Sequence, residues 1–191
     1  MSRWLCVLGL LVATTSVADP VTRRAKRSYQ QQHDAATQEL ILHNEFSTVL
    51  ILRGTLLTPD FRGDLSDYRE VLLNPAPDNQ ATFEARMAGD ADAYHEVVFS
   101  ADSGAQSKMV FGPGDDRWNI RLTADGTPQE LVTVYRVRNP TPLHLGLYLQ
   151  HNRWSKLYIA RFHRTVESPS TVVMHVGSGH GNGELAWQTS R

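Results

Sequence analysis

Only one cysteine occurs in the 191 residues, Cys6, and it falls within the first eighteen. From residue 19 onward the chain therefore offers no disulfide framework, no thiolate nucleophile and no cysteine zinc site. Long apolar runs are also missing after Trp4–Val12, so the remainder is expected to contain no transmembrane segment. Histidine is plentiful, at eight, but His-Glu-x-x-His and His-x-His are absent, and His175 and His180 stand five apart across glycine-rich sequence. Gly177-Ser178-Gly179 lacks the flanks of a nucleophile elbow. Gly179–Gly183 has no helix start behind it and reads as a hairpin tip rather than a phosphate cradle. No internal repeat is visible. These absences leave no ready-made enzyme template.

What is present begins with an address. Arg3, the apolar run Trp4–Val12 and the small residues Ser16-Val17-Ala18 have the order of a secretory signal peptide, with a cut expected after Ala18. Cys6 lies too early in it to be a lipoprotein acylation site. The organisation expected is a signal peptide over 1–18, a basic and Gln-rich flexible arm over 19–37, and one β-rich domain over 38–191. A chain of this kind is exported, to a periplasm or outside the cell.

Charge is divided unevenly. The whole chain counts 19 basic and 20 acidic residues. Arg23, Arg24, Lys26 and Arg27 crowd into the arm, and from Ser28 onward 14 basic face 19 acidic residues, a net charge of −5. An acidic body with a short basic arm does not have the profile of a nucleic-acid-binding protein. The arm suits a solvated tail, or contact with an anionic membrane or glycan surface. In a eukaryotic secretory pathway Arg24–Arg27 would also read as a dibasic processing site.

The pattern of apolar residues argues strands. Glu39–His43 and Thr48–Leu57 form a hairpin around Asn44–Ser47, and Thr82–Ala88 with Tyr94–Ala101 a second around Gly89–Ala93. Lys108–Phe111 and Trp118–Thr123 follow, and Thr171–Val176 with Glu184–Gln188 closes the chain. Between them, residues 131–137, 143–150 and 155–162 read as a three-strand meander. In it Leu143, Leu145, Leu147 and Leu149 alternate with His144, Gly146, Tyr148 and Gln150. One helix is expected at about 59–73: Thr58 caps it, Pro59 opens it, and Phe61, Leu65, Tyr68 and Leu72 make one apolar stripe. The fold class is therefore mainly β, an antiparallel β-sandwich or open barrel of about ten short strands with one inserted α-helix.

Three sites follow from that register. On the face opposite the leucines, Arg136, His144 and Arg161 fall in one row, the arginines about 10 Å apart with His144 between. Like charges that close need a negative answer, from the acidic side of the helix or from an anionic ligand. Asp90, Asp92, Asp115 and Asp116 gather at one end of the sheets, where loop carboxylates suit calcium. Trp154, in a tight turn, is the exposed tryptophan on which a sugar could stack. The reading is a non-enzymatic binding or interaction module, its ligand an anionic small molecule or glycan, with no cofactor required unless calcium. The alternatives are a hydrolase with scattered His and Asp acid–base residues, and a calcium-dependent carbohydrate- or surface-binding domain.

Overall fold

The computed structural model describes residues 20–45, 47–104, 110–111 and 118–189. Among these the elements run α1 (Pro20–Ala36), β1 (Thr37–Asn44), β2 (Ser47–Leu56), α2 (Pro59–Leu73), α3 (Pro77–Ala93), β3 (Tyr94–Asp102), β4 (Asn119–Ala124), β5 (Thr127–Gln129), β6 (Leu131–Val137), α4 (Pro142–Leu147), β7 (Lys156–His163), β8 (Thr171–Ser178) and β9 (Gly181–Gln188). The class is mainly β, with two antiparallel sheets: β1-β2-β3-β7-β6 and β5-β4-β8-β9.

Period-2 alternation explains the layering. On β3, Val97, Phe99 and Ala101 enter a core shared with Leu50, Leu52, Leu122, Met174, Leu185 and Trp187, which lies between the sheets. Val98 of the same strand faces the other way, toward Tyr29, Phe61, Leu65, Tyr68, Met87 and Leu147. The five-stranded sheet is thus buried on both faces, by the second sheet on one side and by helices on the other. That is why β2 and β3 read as almost continuous apolar runs. Full burial of one leucine is worth about 2 kcal/mol, so the two cores carry most of the stabilisation.

The sandwich is flanked by more helix than the one expected. The helix at 59–73 is present with its bounds: Thr58 Oγ1 accepts from Phe61 N–H at 3.2 Å, and Asn74 ends it with φ 44°. Phe61, Leu65 and Tyr68 are buried, whereas Leu72, at the end of the stripe, is 38% exposed. Residues 20–36, expected as a flexible arm, form α1, whose Ala25, Tyr29, His33 and Ala36 line one face; Tyr29 and His33 are buried. Its single apolar ring and small alanines hide that stripe from a count of hydrophobic residues.

Two strand expectations are corrected. Thr82–Ala88 is not a strand but the middle of α3, opened by Pro77 and Asp78, with Phe83, Met87 and Ala91 at helical spacing. Residues 143–150 are not a strand either. Thr141 caps α4, and His144 completes a reciprocal cap through Nδ1, which accepts from Thr141 N–H at 3.2 Å. Leu143 and Leu147, one turn apart, pack on the helix side of the sheet, and Leu145 is exposed. With that segment helical, β6 pairs directly with β7. Of the strand expected at Lys108–Phe111, residues 108 and 109 lie outside the described residues, and Val110 and Phe111 are not in a strand.

Candidate functional site

The corrected register takes the arginine row apart. Arg136 pairs with Tyr158, and Arg161 pairs with Thr133 on one side and Glu96 on the other. Arg136 and Arg161 therefore have opposite parity and point from opposite faces of the sheet. Arg161 is on the helix side, where its Nη2 meets Asp90 Oδ2 at 3.0 Å. Its Nε stands 3.2 Å from Glu96 Oε2, off the hydrogen-bonding direction, so that contact is an ion pair without an aligned hydrogen bond. Glu96, only 4% exposed, also takes Arg62 Nη2 at 3.3 Å. His144 is half-buried on α4, engaged in its cap.

Arg136 instead borders a shallow hollow of about 420 Å³ with Arg138, Lys156, Tyr158, Phe111 and Val134. Trp154 is 59% exposed, and the Arg153 guanidinium stacks 4.6 Å from its ring centre. Asp90 is engaged with Arg161, Asp92 is exposed near the end of α3, and Asp115 and Asp116 lie outside the described residues. Among the described residues no group of three His, Cys, Asp or Glu side chains is placed to hold a metal ion.

A larger cavity lies elsewhere. A cleft of about 690 Å³ opens where the C-terminal turn of α1, the first turn of α2, the start of β3 and the β7–β8 connection meet. Its apolar wall includes Leu57, Phe61, Val172 and Trp187, and its polar groups include Gln32, Asp60, Asp64, His95, Arg164 and Glu167. Trp187 holds one wall, its Nε1 donating to Ala36 O at 2.9 Å across 151 residues of chain. Arg164 holds another: its Nη1 donates to Ala91 O at the end of α3, and its Nη2 to Glu167 O.

His95 is the unusual member. It is 8% exposed, and its Nε2 is buried with no hydrogen-bond partner among the described residues. Burial is the first cause that pushes its pKa down, to about 4, and the Arg164 cation adds to it, against a backbone hydrogen bond at Val166. At neutral pH the imidazole is therefore uncharged, with one nitrogen uncommitted. Asp64 at the rim is shifted the other way: desolvation, then the neighbouring Asp67 and Asp60, raise its pKa. With His95 neutral, the cleft sets the carboxylates Asp60, Asp64 and Glu167 against the single cation Arg164.

Sequence reasoning missed this site because its members come from five segments. The one local sign was a histidine in the apolar run of β3, a position that ordinarily belongs to a core side chain. No protein-family model matches the chain, and no curated protein matches its sequence. Among the described residues no helix is long and apolar enough to cross a membrane.

Proposed function

We propose that this protein is an exported, non-enzymatic module that binds a small neutral or positively charged organic molecule in the cleft beside His95. The observation that carries the reading is the buried, unpartnered Nε2 of His95 beside a cavity of about 690 Å³. An unsatisfied buried polar atom costs about 1–3 kcal/mol, and a ligand group that hydrogen-bonds to it recovers that loss. Pockets of this size, apolar with a few convergent polar groups, are where small molecules bind. The three carboxylates against one guanidinium disfavour an anion there and favour an ammonium or hydroxyl-bearing ligand. Phe61, Leu57 and Trp187 supply the apolar wall for its carbon skeleton.

The charged neighbour of His95 is Arg164, a cation, whereas a general base is usually oriented by a carboxylate. That supports holding a ligand over the hydrolase alternative. Export rests on the signal-like sequence at residues 1–18. The test is a thermal-shift panel of amines, neutral sugars and carboxylates, read on the parent and on His95→Leu. Binding at about a hundredfold over Kd stabilises by about 2.7 kcal/mol, a rise of several degrees. Amines or neutral sugars should give that rise and His95→Leu should lose it. A rise given by carboxylates alone, or kept in His95→Leu, refutes the reading.

A second reading survives at Arg136. The hollow it shares with Arg138 and Lys156 gathers three cations around the ring of Tyr158, a setting for a carboxylate or phosphate. Inorganic phosphate titrated against the parent and Arg136→Ala tests it. Loss of binding in the variant supports it, and equal binding removes it.

A further inference from the structure

Helix α1 has two unlike faces. Ala25, Tyr29 and Ala36 pack toward the body of the protein, with Tyr29 stacked on Tyr68 at 4.4 Å between ring centres. Arg23, Arg24, Lys26 and Arg27 are all exposed on the remaining arc. They lie within about 6 Å along the axis, at 1.5 Å per residue. At 100° per residue they spread over about half the circumference, so they present a broad convex surface and not a track.

Among the described residues nothing answers these charges. None of the four makes an ion pair among the described residues, and no acid stands three or four positions downstream of any of them. The first turn of α1 carries no acid, so apart from Asp19 ahead of it the positive end of the helix is given further positive charge. Cations at a helix N-terminus disfavour the helix and repel each other at these spacings. The rest of the chain, from Ser28, has a net charge of −5, so α1 carries a basic face on an otherwise acidic body.

We infer that this face of α1 docks the protein onto an anionic phospholipid bilayer. A planar array of phosphates matches a convex half-circle of cations, whereas a linear polyanion is gripped by a groove. Val21, 65% exposed at one end of the helix, offers an apolar side chain at headgroup depth. The apolar run Trp4–Val12 lies seven residues ahead of α1, so in a chain that retains it, connectivity brings the basic face near the membrane surface. The apolar face of α1 remains packed on α2, so the association is electrostatic and peripheral, without insertion of the helix. The acidic body is turned away from the lipid by its own charge.

Each cation near an anionic surface multiplies the partition by about fivefold, so four are worth at least two orders of magnitude at low salt. The experiment is co-sedimentation of the purified full chain with vesicles of phosphatidylcholine, with or without about 30 mol% phosphatidylglycerol. The parent should favour the anionic vesicles by about a hundredfold and lose the preference in about 0.5 M salt. A variant carrying Arg23→Gln, Arg24→Gln, Lys26→Gln and Arg27→Gln should show no preference while melting no lower than the parent, since all four side chains are exposed and their loss relieves repulsion at the start of the helix. Salt-insensitive binding to both vesicle types reports apolar attachment through residues 1–18 and overturns the inference. So does a preference that the variant retains. Retention on heparin with no preference for anionic vesicles assigns the face to a polyanionic polymer and overturns it equally.

Discussion

Arg161 and Asp90 hold each other, Nη2 to Oδ2 at 3.0 Å across 71 residues of sequence. From the sequence one belongs to an anion site and the other to a calcium site. In the fold each answers the charge of the other, and Glu96 behind them takes Arg161 and Arg62 together. The network joins β3, β7, α2 and α3.

Removing Glu96 leaves Arg62, only 3% exposed, without its anion. Glu96→Ala should therefore destabilise by about 3–5 kcal/mol, read as a fall in the urea midpoint. Asp90→Asn breaks a pair whose side chains retain some solvent access and should cost about 1 kcal/mol. If the two variants unfold alike, the buried network is not what ties the helices to the sheet.

The docking of α1 rests on Tyr29. Its ring stacks on Tyr68 and its hydroxyl donates to Leu147 O at 2.5 Å, which fastens α1 to α4. Tyr29→Phe should cost about 1 kcal/mol, leaving a carbonyl unpaired, and Tyr29→Ala about 3–5 kcal/mol. Leu65→Ala, at a site with no exposure, belongs with the larger loss at about 2–5 kcal/mol. Proteolysis cutting first within 20–36 in Tyr29→Ala alone would place the effect in α1.

Strands such as β1, β2, β3, β6, β7, β8 and β9 were legible because short apolar or alternating runs bounded by turn residues are a local signal. So was α2, whose cap, Pro59 and stripe agree. The segment 143–150 shows where that signal fails. Leucine at every second position satisfies a strand, yet the Thr141–His144 cap and the apolar contacts of Leu143 and Leu147 favour a short helix, leaving only Leu145 exposed. One misread segment then moved Arg136 and His144 into a false row with Arg161. α3 was hidden in the same way by Gly89, a helix-interior glycine that reads as a turn. The cleft was out of reach because no sequence spacing links His95 to Asp64, Arg164 and Trp187.

Gly54 tests the seam between the sheets. A Cβ there would come within 2.8 Å of Leu185 Cδ1 and 3.4 Å of Trp187 Cζ2. Gly54→Ala should thus cost about 1–3 kcal/mol through overpacking. Gly179→Ala, with open space around it, should stay within about 0.5 kcal/mol. Equal melting of the two variants would mean that β9 does not press closely on β2.

His95 makes stability depend on pH with a definite sign. Unfolded, its imidazole takes up a proton near pH 6.5; folded, burial and Arg164 hold that off until about 4. The unfolded state therefore binds more protons between those values, and stability falls as pH drops through them. Above about pH 7 the group contributes no slope. The full loss corresponds to about 3 kcal/mol, complete only near pH 4. His33 adds in the same direction, its pKa lowered by desolvation against its bond to Gln150 and the nearby Asp34. Asp64 opposes weakly, since a raised carboxyl pKa favours the folded state as acid is added. His95→Gln keeps a polar side chain and removes the titration, so comparison with the parent isolates the one group. Urea midpoints at about pH 7.5, 6 and 4.5 should diverge, the parent losing about 2–3 kcal/mol more than the variant across that range. A ligand that hydrogen-bonds to neutral His95 should keep its affinity through most of that range and weaken only as the pH approaches about 4, where the folded imidazole takes up its proton. Parallel curves for parent and variant would mean that His95 is protonated in the folded protein as readily as in water.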